Sequence, residues 1–132
     1  MITTTSESTR YQSCFSNGTH SAFSDTTPDK GSGSRGFRPH ELLEAALGTC
    51  MNMHLRMYAE NHGIELGKVT TTVVIDRSDP SKATFTYSID FSQLLSSEQQ
   101  AKLVQIAATC PVHNTLSREI TFRQVAKSAG AV

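Results

Sequence analysis

Residues 39–62, PHELLEAALGTCMNMHLRMYAENH, carry the strongest helical pattern in the chain. Pro39 suits a first helical turn, Glu41 and Glu44 favour the positive end of the helix dipole, and Gly63 follows as a stop. Such a helix would reach about 36 Å, which is long for a chain of 132 residues. Projected down its axis, Leu43, Ala46, Leu47, Met53, His54 and Met57 all fall within about 60° of Cys50. Glu41, Glu44, Asn52 and Arg56 fall on the far side. The expectation is a core helix with Cys50 along its buried face. Taken alone, Cys50 there reads as a small apolar residue.

Downstream, two stretches alternate. Val69, Thr71, Val73 and Ile75 share one strand face, and Phe85, Tyr87, Ile89 and Phe91 share one face of its partner. The segment DRSDPSK between them makes the pair a hairpin. Ser96 or Ser97, with Gln99 or Gln100 three residues later, can open a helix that runs to about Ala108. Thr109-Cys110-Pro111 then starts a second helix, with Cys110 as cap and Pro111 at its first position. A last strand is expected from Glu119 to Val125, through Ile120 and Phe122.

Upstream the chain is rich in Ser and Thr. RYQSCFS-NG-THSAFSD reads as a hairpin whose Asn17-Gly18 would supply the positive φ angles of a type I′ turn. Residues 1–10 are expected to be disordered, and residues 29–38, DKGSGSRGFR, to be a flexible connector. The order of hairpin, long helix, hairpin, two helices and strand is α+β, in one domain over 1–132.

Twelve basic residues balance twelve acidic ones, and the pI is near 7.0. That balance offers no polycationic face for nucleic acid. No apolar run approaches the roughly 18 residues a membrane helix needs, and MITTTSESTRYQS does not read as a secretory leader. The odd cysteine count, Cys14, Cys50 and Cys110, suits free thiols in the cytoplasm better than a disulfide scaffold. Apolar residues make up only 37% of the chain, so an oligomer interface is expected to strengthen a lean core.

Cys110 at a helix N-terminus would face unpaired amides and the positive dipole end, which favours thiolate. Cys110 and His113 also form a C-x-x-H pair, but a structural zinc site normally shows two such pairs, so no metal is expected. Neither a G-x-x-x-x-G-K-[ST] nor a G-x-G-x-x-G motif occurs, and no nucleotide cofactor is implied.

The segment PHELLEAALGTCMNMHL, followed sixty residues later by TCPVHNTLSREI, resembles the OsmC/Ohr family (osmotically inducible protein C and organic hydroperoxide resistance protein). The resemblance covers about residues 11–125. It implies an intertwined homodimer and a thiol peroxidase acting on organic hydroperoxides in oxidative stress defence. Cys50 would attack the peroxide, Cys110 would resolve the sulfenic acid as a disulfide, and an external dithiol would reduce it. Leu43, Ala46, Leu47, Met53 and Met57 around Cys50 suit an alkyl substrate. The family's peroxidases place an arginine at the first hairpin tip and a glutamate just after the helix-opening proline. Here the tip is Phe15-Ser16-Asn17-Gly18, and His40 follows Pro39, with Glu41 one position later. Arg35, Arg38 and His40 are left as candidates to activate Cys50, against the plain reading of each as a solvated charge. The alternative function is an OsmC-fold protein that binds a small molecule, or responds to redox state, without efficient turnover.

Overall fold

The computed structural model describes residues 1–126; the expected domain end at 132 lies outside them. The long helix, α1, spans Pro39–His62 and ends where Gly63 turns left-handed at φ 63°. Its start is held by Glu41, whose carboxylate accepts the Arg38 amide at 2.7 Å and pairs with the Arg38 guanidinium at 3.4 Å. The downstream hairpin pairs Val69–Asp76 with Thr84–Phe91, from Val69 opposite Phe91 to Asp76 opposite Thr84. Two helices follow, α2 over Ser97–Ala107 and α3 over Pro111–Leu116. Ser96 caps α2 and Cys110 caps α3.

The core lies between α1, the inner face of this hairpin, and α2. Leu47, Met51, Leu55, Ala59, Leu66, Leu103, Ala107 and Cys110 are buried, with Val73, Phe85, Tyr87 and Ile89 packed against them. Each large member contributes roughly 1.5–3 kcal/mol by leaving water. The buried stripe of α1 therefore runs through Leu47, Met51, Leu55 and Ala59, about 100° round from Cys50. The face expected to be core, through Leu43, Ala46, Met53 and Met57, is instead exposed. Glu44 and Asn52, expected to face away, hold the hairpin. Glu44 accepts the Ile75 amide at 2.9 Å, and Asn52 accepts the Thr71 hydroxyl at 2.6 Å. A helix with two apolar stripes can bury only one against a single sheet, and shape favoured the one beside Gly48, which is buried against Val73 and Thr71.

The upstream region is more ordered than its composition suggests. Thr3–Ser6, inside the stretch expected to be disordered, pairs with Ser13–Ser16, which pairs with Ser21–Ser24. In chain order these strands are β1, β2 and β3, and the downstream pair is β4 and β5. The β2–β3 turn is not the expected type I′ turn at Asn17-Gly18: the Asn17 amide donates to the His20 carbonyl at 3.1 Å, which leaves Gly18-Thr19 as the turn residues. Ser16 lies opposite Ser21, and the Asn17 side chain accepts the amides of Thr19 at 2.9 Å and His20 at 2.7 Å. Gly18 alone of the pair has positive φ, because the Asn17 oxygen organises the loop without a left-handed backbone.

The connector is also organised. Residues 28–30 form a 3-10 turn, and Asp25, only 3% exposed, draws the segment on either side of that turn together. Its carboxylate accepts the Thr26 amide at 2.8 Å, the Arg35 amide at 3.1 Å and the Ser32 hydroxyl. Gly36 passes so close to β3 that a Cβ would lie 2.3 Å from the Phe23 carbonyl oxygen, a position open to glycine alone. The Ser32 hydroxyl first, then the Arg35 amide, hold the Asp25 carboxyl below its ordinary value. A depressed carboxyl contributes stability above the unfolded-state value and loses it as pH falls through the folded one. Connector amides should therefore lose hydrogen-exchange protection in acid. Asp25→Ala should speed tryptic cleavage after Lys30 and Arg35 by about tenfold at neutral pH, as expected when a buried hydrogen-bonded group is lost. Cleavage at the wild-type rate would show that the carboxylate does not hold this segment.

The expected final strand does not form. Residues 119–126 have no regular structure, and Phe122 is 94% exposed. The alternation is present, but a strand needs a partner edge, and none of the described strands pairs with this segment.

Candidate active site

Cys50 sits midway along α1, where the buried stripe meets the exposed one, and is half-buried. The α2–α3 turn brings Cys110 behind it. The two free thiols end on successive amides of α3: Val112 N–H donates to the Cys50 sulfur and His113 N–H to the Cys110 sulfur, each at 3.4 Å. Pro111 at the first helical position frees this end of any amide of its own and aims the next two at the sulfurs.

Cys110 is fully buried, and its burial pushes the thiol up from the ordinary value. The His113 amide pulls it down and the neighbouring Cys50 thiol adds to the rise, but burial prevails. The expectation that a helix N-terminus would make Cys110 a thiolate is thus reversed by desolvation.

In front of Cys50 opens a cavity of about 470 Å³, lined by Ala46, Thr49, Cys50, Met53, His54, Met57, Pro111 and Val112. Of the expected pocket residues, Ala46, Met53 and Met57 line it. Leu47 lies in the core on the other side of α1, and Leu43 is a surface residue near the helix start. None of Arg35, Arg38, His40 and Glu41 lines it. Arg38 and Glu41 pair with each other twelve and nine residues before Cys50, about 18 and 14 Å along the axis. The Arg38 amide, then its side chain, keep the Glu41 carboxyl low. The Arg35 amide is tied to Asp25, and His40 is exposed.

Two polar residues complete the site. His54 Nε2 lies 2.9 Å from the Thr109 hydroxyl, and that hydroxyl donates to the Ile106 carbonyl at 2.6 Å. His54 was legible as a neighbour of Cys50 in helical projection; its contact across 55 residues to Thr109 was not. Among the described residues no three His, Cys, Asp or Glu side chains gather to hold a metal ion, and no helix is long and apolar enough to cross a membrane.

A sequence comparison with curated proteins gives no match. Among solved structures, a putative osmotic stress induced and detoxification response protein from Psychrobacter arcticus 273-4 superposes with TM-score 0.73 at 22% identity, over 86% of this chain and 85% of that one. An OsmC like protein from Mycoplasma pneumoniae gives 0.68 at 19%, over 88% and 85%. The organic hydroperoxide resistance protein OhrB of Bacillus subtilis gives 0.65 at 20%, over 89% of both chains. These likenesses show a shared α+β fold. The sequence pattern of OsmC-like proteins matches residues 31–124, both cysteine segments included, and the chain therefore belongs to the OsmC-like protein family.

Proposed function

We propose that the protein is a thiol-dependent peroxidase for organic hydroperoxides, acting as a homodimer. The observation that carries this reading is the division between the two thiols: Cys50 opens onto an apolar cavity, and Cys110 lies buried behind it. The Cys50 thiolate attacks the terminal oxygen of R–O–O–H. The S–O bond forms as the O–O bond breaks, giving Cys50 sulfenic acid and, after protonation, the alcohol. The Cys110 sulfur then displaces hydroxide, which leaves as water, and a disulfide forms. An external dithiol reduces that disulfide, so the cycle belongs in a reducing compartment such as the cytoplasm. Ala46, Met53 and Met57 would receive the alkyl group. Arg35, Arg38 or His40 could act on Cys50 only from a second subunit, given their positions here.

A second reading, binding of a small apolar molecule without turnover, draws on the absence of any Lys, Arg, Asp or Glu among the cavity-lining residues. Peroxide consumption with tert-butyl hydroperoxide and dithiothreitol separates the two. In that assay Cys110→Ser should form Cys50 sulfenic acid in one turnover, trappable with dimedone, yet make no disulfide with position 110. An equally fast disulfide cycle in that variant would remove Cys110 from the resolving role.

A further inference from the structure

We propose that His54 carries the proton of this reaction, taking it from the Cys50 thiol and delivering it to the alkoxide released from the peroxide. The proposal rests on the peroxidase reading and supplies the acid–base group that reading lacks.

His54 lies one helical turn after Cys50 on the same face, where side chains four residues apart are neighbours. Both residues line the same cavity. Because the Thr109 hydroxyl donates to Ile106, its oxygen is left to accept, and His54 Nε2 must be the donor. That bond places Nδ1 as the basic nitrogen; among the described residues Nδ1 has no hydrogen-bond partner, the Cys50 sulfur included, so the proton crosses from the thiol to Nδ1 through one water in the shared cavity. Protonation at Nδ1 leaves the Nε2–H bond to Thr109 intact, so the ring is held in one orientation whether neutral or charged. Thr109 directly precedes Cys110, so the same bond ties the Cys50 helix to the turn that carries the second thiol.

Of the cavity-lining side chains, Ala, Met, Pro and Val carry no exchangeable proton, and the Thr49 hydroxyl donates to the Ala45 carbonyl at 2.7 Å. His54 is the one titratable nitrogen that lines the cavity. The ionisable groups placed with it are Cys50, which lines the same cavity, and Cys110, next to Thr109 in the chain, with no carboxylate or guanidinium among the lining residues. The balance closes without a further group. Cys50–SH and R–O–O–H become Cys50–S–OH and R–OH. The sulfur loses two electrons to the O–O bond, and the thiol proton passes through His54 Nδ1 to the alkoxide.

His54→Gln keeps a donor for Thr109 and cannot carry a proton. With tert-butyl hydroperoxide under single turnover, sulfenic acid formation in this variant should slow about 100-fold at neutral pH, within the range of general acid–base catalysis. It should also lose the pH dependence that the imidazole imposes on the wild type. His54→Ala should be rescued by added imidazole. A separate measurement needs no peroxide: iodoacetamide alkylation of Cys50 against pH should shift to higher pH in His54→Gln. If the wild type consumes no hydroperoxide but the alkylation profile shifts, the peroxidase reading fails and His54 remains the proton acceptor for Cys50. An alkylation profile unchanged in His54→Gln, or an unchanged single-turnover rate, overturns the proposal.

Discussion

Cys50→Ser should abolish hydroperoxide consumption, with the rate falling by at least about 10³-fold. Serine keeps the size and the hydrogen bond from Val112, so the variant isolates the loss of sulfur from any loss of packing. A hydroxyl neither ionises near neutral pH nor attacks a peroxide oxygen, and it cannot form the disulfide that regenerates the site. Cys14→Ser is the matching control, because Cys14 lies on β2, paired opposite Phe23 and away from the cavity. It should leave the rate within about twofold, as expected for a substitution remote from the reacting atoms. Dithiothreitol-dependent loss of tert-butyl hydroperoxide measures both. More than a few per cent of wild-type turnover from Cys50→Ser would assign the chemistry to another residue.

The second large effect concerns assembly. In solution the protein should scatter light as twice its 14.4 kDa, through an interface above about 2,000 Å² in total. Three observations converge on this. The second apolar stripe of α1 stays open, with Leu43 45% and Met57 60% exposed. No strand residue of β1–β3 is buried, and a small sheet without a covered face is marginal in water. Ile120 and Phe122 alternate in a segment without regular structure that has found no edge, and Val125 after them is also exposed. A two-fold partner would cover the same patch on both subunits at once. Met53→Asp with Met57→Asp would set unpaired carboxylates into that interface, a cost of several kcal/mol. Dissociation should rise by at least about 100-fold, with broad, low-temperature unfolding as the separated chains lose their cover. A wild type that unfolds cooperatively as a monomer at micromolar concentration would refute the dimer.

Much of the fold could be read residue by residue, and the reasons are local. Pro39 and Gly63 mark the ends of α1 because each restricts or frees its own backbone. Ser96 and Gln99 settle the start of α2 within one turn. What escaped depends on distant partners. Helical projection centred on Cys50 picks out one apolar face of α1 and misses the neighbouring stripe through Met51, Leu55 and Ala59 that β4 covers, so it put Cys50 in the core when it lies at the border. A Ser- and Thr-rich stretch carries little apolar signal, so β1 was hidden. The three groups on the Asp25 carboxylate sit one, seven and ten residues away, a pattern no local rule reads. The alternation at Ile120 and Phe122 was real, yet it named no edge to join. At the site, the two cysteine segments were plain and the Cys110 cap was legible to the residue. The reversal of its thiolate preference was not, because burial is a property of the whole core.

The two amides that end on sulfur have a practical consequence. Val112 N–H reads the Cys50 sulfur and His113 N–H reads the Cys110 sulfur, one donor to each acceptor. A hydrogen bond shortens and strengthens when its acceptor gains charge, and the frequency of an amide proton follows that change. Adjacent backbone resonances thus serve as two separate gauges, built into the chain, of the charge and oxidation state of two atoms that no optical probe tells apart. Labelling with 15N alone would allow each thiol to be followed through a reaction without altering either.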